Sequence, residues 1–219
     1  MDTSGDGTAN VILYLVVLAL FAQVVVRVMR EWRVRPGVPW LAILLAVVIG
    51  VPSLLQFALP ALGGALQRNP GLTLHEGQWW RVLTSVAAQD GGLVAAIFNL
   101  VVILAVVAVA QWLWGWWRAL VLFLAPSIIL NLLAIAWNAP GGGSSFASDG
   151  LLASIIALAM LVSRSRVVTW LGLAVIAIGI VLVAINDAHG LALLVGAVLG
   201  AAFALPRRRS QPEDAQRAA

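Results

Sequence analysis

The sequence lacks two residue types altogether and is poor in a third. No cysteine occurs among its 219 residues, which excludes disulfides, thiolate nucleophiles and cysteine-based metal sites. Only two histidines are present, His75 and His189, which nearly excludes a multi-histidine metal site. Lysine is also absent, and 13 basic residues that are all arginine favour a bacterial genome rich in G and C. Neither a metal nor a cofactor is expected.

Charge is scarce as well. Charged residues make up 10% of the chain and hydrophobic residues 62%, with a mean hydropathy of +1.02, whereas a soluble domain is about half apolar and a quarter charged. Five charge-free runs are long enough to cross a bilayer, and two shorter runs follow a similar pattern: Gly7–Val26, Pro36–Gln67, Gly91–Trp117, Ala119–Ser148 and Val167–Asn186, then Gly150–Ser163 and Gly190–Pro206. The sequence therefore predicts an all-α integral membrane protein with seven helices.

The arginines predict the orientation of these helices, because cytoplasmic loops are enriched in basic residues. Arginine clusters follow the first, third, fifth and seventh predicted helices: Arg27, Arg30, Arg33 and Arg35; Arg118; Arg164 and Arg166; Arg207, Arg208 and Arg209. The first ten residues contain Asp2 and Asp6 and no basic residue, so the first run is predicted to be a retained helix and not a signal peptide. We expect a multi-pass protein of the bacterial cytoplasmic (inner) membrane, with its N-terminus outside and its C-terminus in the cytoplasm.

Three polar side chains are predicted to lie at one depth, on three helices that run in the same direction. Each is 18 or 19 residues before the first arginine that follows it: Asn99 before Arg118, Ser145 before Arg164, and His189 before Arg207. At about 1.5 Å per residue, all three lie about 27–29 Å from the inner boundary of a hydrocarbon core about 30 Å thick. Polar groups at such a depth are costly and often functional.

The chemistry that fits these three residues is acyl transfer. A serine hydroxyl becomes nucleophilic when a base takes its proton, and histidine is the usual base. The tetrahedral intermediate then needs donors for its oxyanion, and an asparagine side chain can supply one. A structural alternative stays open for each residue: a helix–helix hydrogen bond for Asn99, an interfacial position for His189, and a loop or helix N-cap position for Ser145.

Four local segments resemble motifs of the rhomboid intramembrane serine proteases, in the order in which that family has them. Segment 143–154, Gly-Ser-Ser-Phe-Ala-Ser-Asp-Gly-Leu-Leu-Ala-Ser, resembles the serine segment, with Ser145 as nucleophile. Segment 188–192, Ala-His-Gly-Leu-Ala, resembles the segment that supplies the base, His189. Segment 78–84, Gln-Trp-Trp-Arg-Val-Leu-Thr, resembles the Trp-Arg motif of the first outer loop, and Phe98-Asn99-Leu100 resembles the segment whose asparagine helps to form the oxyanion hole.

This resemblance implies an architecture and an activity. The expected parts are an N-terminal transmembrane helix with an Arg-rich loop (1–37), a rhomboid-like six-helix core (38–206) and a disordered cytoplasmic tail (207–219). The expected activity is cleavage of transmembrane proteins near their outer end by a Ser145–His189 dyad, with Asn99 in the oxyanion hole. The expected partners are transmembrane substrates or clients and the lipid bilayer, and nucleic acid is not among them.

A stripe of small residues supports a close approach of the two catalytic helices. Ala192, Gly196 and Gly200 recur every four positions after His189, a spacing that lets helices pack tightly, and Gly150 offers a facing small surface. We expect this contact to bring a ring nitrogen of His189 within about 5 Å of the Ser145 hydroxyl.

Three positions depart from the pattern of that family: Phe146, Ala95, and Asp149, which stands where the family has alanine or glycine. Phe146 replaces the glycine that follows the nucleophile and can crowd the oxyanion pocket. Ala95 replaces a histidine four residues before Asn99, so one expected oxyanion donor is missing. The loss of one such donor costs about 3 kcal/mol of barrier in other enzymes, which slows catalysis without abolishing it.

Three further residues are candidate accessories to the site. Gly143 belongs to a Gly-rich stretch whose backbone N–H groups can be donors, and Ser144, like Ser148, is an alternative nucleophile if the alignment slips. Asp149 lies four residues after Ser145 on the same helical face, where it either caps the loop above or tunes His189.

The leading functional hypothesis is therefore a rhomboid-type intramembrane serine endopeptidase. The alternative is a catalytically weak or inactive pseudoprotease that binds transmembrane clients, which Phe146 and Ala95 favour. A small transporter is disfavoured because the predicted helices hold almost no charge beyond Asp149 and show no convincing inverted repeat.

Overall fold

Ten α-helices make up most of the protein in the computed structural model, which describes the backbone of residues 7–217 and the side chains of residues 7–205. The helices are α1 (Thr8–Glu31), α2 (Trp40–Leu55), α3 (Pro60–Leu66), α4 (Pro70–Glu76), α5 (Arg81–Thr84), α6 (Gly92–Trp114), α7 (Trp116–Ala136), α8 (Ser145–Val162), α9 (Arg166–Ala184) and α10 (His189–Arg217). A 3₁₀ turn, Ser85–Ala87, follows α5. Between residues 7 and 217 the extended pairing is limited to one isolated bridge between Arg68 and Gly141.

Five of these helices, α1, α6, α7, α8 and α9, are long and apolar enough to cross a membrane. The apolar helix α2 and the apolar first part of α10, His189–Leu205, are shorter than these five. The chain is thus an all-α protein of the membrane type, while seven spans stay a prediction. Asp2 and Asp6 lie outside the described residues, and α10 continues through residues 207–217, which the sequence predicts to be a disordered tail.

Two of the long apolar runs in the sequence do not form single helices. In the run from Pro36 to Gln67, α2 ends at Leu55, and the short helix α3 begins with Pro60 at its first turn, where a missing N–H costs nothing. In the run from Ala119 to Ser148, α7 ends at Ala136 and a glycine-rich loop precedes α8. Consequently Ser145 is the first residue of α8, and the helix is continuous from Ser145 towards Arg164, as the depth calculation assumes.

Helix α8 lies at the centre of the bundle. In its membrane-length segment 72% of the residues are buried, compared with 28% for α1 and for α9. Its closest neighbour is α10: a Cβ atom added at Gly196 would lie 2.0 Å from the Gly150 carbonyl oxygen, and one added at Gly200 would lie 2.4 Å from the Cα of Ser154. Only glycine allows this approach of the two backbones, and the predicted small-residue contact is confirmed.

Helix α1 is an integral part of this bundle. Its buried residues Val17, Phe21 and Val24 belong to the same hydrophobic core as those of α6, α8 and α9. At its last residue, the Glu31 carboxylate accepts hydrogen bonds from the Ser163 hydroxyl and from the Arg164 backbone N–H at 2.9 Å. The end of α1 is thereby fixed to the turn between α8 and α9.

The loop between α2 and α6 is held together by two arginines. Arg81 is 6% exposed and donates to the carbonyl oxygens of Gly64 (2.9 Å) and Gln67 (2.8 Å), so it stabilises the inside of the loop. Arg68 is 1% exposed and donates to the Ala139 carbonyl at 2.8 Å and to the Asn131 side chain, which ties the loop to α7. Both buried guanidinium groups are satisfied by backbone carbonyls and amides.

Candidate active site

Ser145 and His189 are brought together at the first residues of α8 and α10. The Ser145 hydroxyl oxygen lies 2.9 Å from Nε2 of His189, which confirms the predicted proximity of the two side chains. His189 is 5% exposed, whereas Ser145 is half-buried and lines a cavity. This is the distance that a base needs in order to take the hydroxyl proton.

A third residue, Asp187, is hydrogen-bonded to the ring nitrogen of His189 that faces away from Ser145. Its Oδ1 lies 2.7 Å from Nδ1 of His189 and also accepts the His189 backbone N–H at 2.9 Å. Because a carboxylate only accepts hydrogen bonds, the His189 proton sits on Nδ1 and leaves Nε2 free to accept from Ser145. Asp187 is completely buried, and its contact with His189, which becomes an ion pair when the imidazole is protonated, is the only one of its kind among the described side chains.

The hydrogen bonds around Asp187 keep it ionised. Burial alone would raise the pKa of its carboxyl, but the hydrogen bond and charge of His189, together with the hydrogen bond from Tyr14, outweigh burial and lower the pKa below its ordinary value. A buried aspartate that stays charged can orient the imidazole and stabilise its protonated form.

Helix α1 supplies two of the groups that hold Asp187. The Tyr14 hydroxyl donates to Oδ2 of Asp187 and also lies 3.1 Å from Nδ1 of His189, and the Asn10 amide donates to the same Oδ2 at 2.7 Å. The Tyr14 ring packs at 5.2 Å, centroid to centroid, from the His189 ring. The N-terminal helix therefore contacts the base side of the site directly.

Neither Asp187 nor Tyr14 was predicted as a site residue, although each has a weak signal in the sequence. Asp187 precedes His189 by two residues, and Tyr14 is the one tyrosine of the chain and lies within a mostly apolar run. Their contact joins residues 173 positions apart. No spacing rule within one helix could have revealed it.

Phe146 does not crowd the oxyanion pocket, and that expectation is wrong. Its side chain is 4% exposed, and its ring lies 5.0 Å from the His189 ring, centroid to centroid, in a small cluster with Leu130, Ala188 and Ala192. It is not one of the residues that line the cavity. Phe146 therefore supports the imidazole from the protein side, a role that a glycine could not fill.

The expected contribution of Gly143 as an oxyanion donor is also wrong, because its N–H is already used. The N–H groups of the three loop glycines donate to Arg68 O (Gly141, 3.0 Å), Asp90 Oδ2 (Gly142, 2.6 Å) and Ser85 O (Gly143, 2.9 Å). The loop thus fixes the start of α8. The N–H of Ser145 itself, in the first turn of α8, has no partner in the described part of the chain and is a more suitable donor.

Asn99 lines the same cavity as Ser145, but its amide is engaged. Its Nδ2 donates to the Gln89 Oε1 at 2.9 Å. An amide nitrogen has a second proton, so one donor remains for a ligand. Ala95 also lines the cavity and contributes no polar group.

The other two accessory candidates are Ser144 and Asp149. Ser144 is completely buried, is not among the cavity residues, and its hydroxyl has no hydrogen-bond partner among the described residues, so it is no substitute for Ser145 beside His189. Asp149 lines the cavity and forms no hydrogen bond within the described chain, so it does not cap the loop; its charge interacts with that of His189, and a tuning role stays a prediction.

The cavity itself lies between α1 and α6, with α8 behind it. Its volume is about 570 Å³, and it is lined by Val11, Tyr14, Leu15 and Leu18 of α1, by Val94, Ala95, Phe98, Asn99 and Val102 of α6, and by Ser145, Ser148 and Asp149 of α8. Val94 of α6 is 83% exposed, so the cavity edge formed by this part of α6 faces the surroundings of the bundle. A mostly apolar cavity with a few convergent polar groups is typical of a binding site.

Among the described residues, no group of three or more His, Cys, Asp or Glu side chains is arranged to hold a metal ion. No family model, curated protein or solved structure matches this chain. The resemblance of the four motifs to rhomboid proteases therefore stays a prediction from the sequence.

Proposed function

We propose that this chain is an intramembrane serine endopeptidase of the rhomboid type, which cleaves transmembrane proteins near their outer end. The observation that carries the proposal is the hydrogen-bonded series of Ser145, His189 and Asp187, with the 2.9 Å and 2.7 Å contacts given above, at the edge of an apolar cavity in a membrane-type helical protein. Nucleophile and base form the pair that acyl transfer uses, and the orienting acid strengthens the base.

In the proposed reaction, Ser145 Oγ attacks the carbonyl carbon of the scissile peptide bond while its proton passes to His189 Nε2. The tetrahedral intermediate collapses, the C–N bond breaks, and His189 returns the proton to the leaving amine. Water then attacks the acyl-enzyme ester with His189 again as base, which releases the new carboxyl end and restores the Ser145 hydroxyl.

Asp187 keeps His189 in the reactive tautomer and stabilises its cationic form during both transfers. Tyr14 and Asn10 in turn hold the Oδ2 of Asp187, so that its Oδ1 stays aimed at Nδ1. This is the role we assign to the N-terminal helix, which a six-helix rhomboid core does not include. The oxyanion would be held by the Ser145 N–H and by the second amide proton of Asn99.

The membrane arrangement is part of the proposal. Beyond the five long helices, α2 and residues 189–205 would supply the sixth and seventh spans; the 17 residues of the latter are at the lower limit for a spanning helix, about 17–25 residues. The arginine clusters would place the N-terminus outside and the C-terminus in the cytoplasm of the bacterial inner membrane. Ser145 would then lie close to the outer surface, where water is available.

The test is proteolysis by the full-length protein reconstituted in liposomes with reporter transmembrane substrates. We expect slow cleavage by the wild type and none by Ser145→Ala or His189→Ala, with Ser144→Ala as a matched control that retains activity. If Ser145→Ala cleaves as fast as the wild type, Ser145 is not the nucleophile and the proposal fails.

A second candidate function is a pseudoprotease that binds transmembrane clients without cleaving them. The observation that favours it is the small number of hydrogen-bond donors available to an oxyanion. Ala95 has no side-chain donor, and the N–H groups of the loop glycines already donate to other protein groups. One amide proton of Asn99 is donated to Gln89. Binding of a client without detectable cleavage, even at long incubation, would distinguish this function from the first.

A further inference from the structure

Asp149 is an acidic residue within the site that the proposed mechanism does not use. It lies four residues after Ser145, which places it one turn further along the same face of α8, about 6 Å along the axis. It lines the same cavity as Ser145 and is half-buried. His189 and Asp187 act on it electrostatically, but its carboxylate forms no hydrogen bond or ion pair with any described residue.

Ser148, next to Asp149, is a second polar residue of this cavity whose side chain has no hydrogen-bond partner among the described residues. That side chain is only 2% exposed and lines the cavity. Buried hydroxyls in native proteins nearly always have a partner, so one without a partner requires an explanation. A ligand group in the cavity would provide it.

The rest of the cavity makes a positively charged ligand group the best match. Among the described residues that line the cavity, the other acid, Asp90, already accepts from the Gly142 N–H at 2.6 Å, and none is an arginine. Val17, Val102 and Leu193 also line the cavity and add apolar surface to it. A carboxylate in such surroundings is costly unless a cation joins it, and a hydroxyl can complete the coordination of that cation.

We propose that Asp149 and Ser148 form a subsite for a cationic side chain, arginine or lysine, that lies next to the scissile bond of the substrate. The stem of either side chain can extend along the apolar walls and place its charged end one helical turn from Ser145. This inference rests on the proposed protease function, because it identifies the substrate residue that the cavity would select.

The experiment uses pairs of transmembrane peptides that differ only by Arg, Lys, norleucine or Glu, scanned over the three residues on each side of the cleavage position. Binding is measured on the full-length Ser145→Ala protein in nanodiscs, and cleavage on the otherwise unchanged wild type. Asp149→Asn, Asp149→Lys and Ser148→Ala are introduced in both backgrounds. Glu76→Gln, which removes one exposed acidic charge from the outer loop, is the matched control.

At one scanned position, Arg and Lys peptides should bind and react about tenfold to a hundredfold better than norleucine peptides, as expected for a charge-assisted hydrogen bond. Asp149→Asn should remove this preference, Asp149→Lys should transfer it to Glu, and Ser148→Ala should reduce it. Glu76→Gln should leave it unchanged.

The two arms separate this inference from the proposed function. A preference in binding without any cleavage would support the subsite and contradict the protease. Cleavage with equal use of Arg, norleucine and Glu peptides, unchanged in Asp149→Asn, would contradict the subsite and leave the protease intact. Equal binding of all peptides to the Ser145→Ala protein would overturn the subsite whether or not the wild type cleaves.

Discussion

The two sides of Ser145 differ in how completely they are built. On the base side, His189 is fixed by Asp187, by the rings of Tyr14 and Phe146, and by the close contact of α10 with α8. On the oxyanion side, Ala95 offers no donor, and the N–H groups of the glycine loop are consumed by the protein itself. Proton transfer is thus prepared in the resting protein, whereas stabilisation of the intermediate relies on few donors.

This difference indicates where the chain would lose and where it would gain rate. Preorganised donors at the oxyanion are usually the largest electrostatic contribution to acyl transfer. A protein that is rigid on the base side and poor on the oxyanion side should act slowly. Substitutions that disturb His189 or Asp187 should lower the catalytic rate, whereas substitutions that add an oxyanion donor should raise it.

The largest effect is expected at Asp187. Asp187→Asn keeps the size of the side chain but favours the wrong tautomer of His189, and we expect kcat to fall by about 10⁴-fold, as in a serine protease with the equivalent change. Initial rates on a reporter transmembrane substrate measure this. A variant within threefold of the wild type would show that Asp187 is only a structural cap of α10.

The same substitution should lower stability at neutral pH. The pKa of Asp187 is lower in the folded protein than in the unfolded chain, whose value is about 3.9. Its stabilising contribution is therefore present above that pH and lost as the pH falls through the folded value. Thermal unfolding should show a lower Tm for Asp187→Asn at pH 7 and a smaller difference near pH 3.

On the oxyanion side, Ala95→His should raise activity. Ala95 faces the cavity, and a histidine there would add a donor on the side of Asn99. One oxyanion donor is worth about 10²-fold in kcat, so a gain of up to that size is expected. Ala95→Leu, which fills the space without a donor, is the control, and an equal gain from leucine would contradict the explanation. Phe146 should be left in place, because its ring supports His189.

The smallest effect is expected at Tyr14, which acts only through Asp187. Tyr14→Phe keeps the ring contact with His189 but removes the hydroxyl, and a loss of about tenfold in kcat with little change in KM is expected for one hydrogen bond to a charged group. Tyr14→Ala should lose more than Tyr14→Phe. If Tyr14→Phe changes KM and not kcat, α1 shapes substrate binding and does not position the acid.

The comparison also shows what could be predicted from the sequence. Membrane-type helices follow from charge-free runs, and the meeting of Ser145 and His189 follows from equal depth and from glycines spaced along α10. The contacts of Asn10 and Tyr14 with Asp187 could not be predicted, because they depend on how α1 rotates and packs against the ends of distant helices. The acceptors of the loop N–H groups also could not be predicted. They belong to three separate segments, around Arg68, Ser85 and Asp90, that no local sequence pattern connects.

The central claim, that His189 activates Ser145 in the resting protein, is tested most directly by labelling the purified full-length protein with a fluorophosphonate probe. Mass spectrometry of the labelled peptide should locate the phosphonyl group on Ser145. Labelling should be abolished in Ser145→Ala and in His189→Ala, and should persist in Ser144→Ala. A folded wild-type protein that remains unlabelled, or a label located on Ser144 or Ser148, would contradict the account.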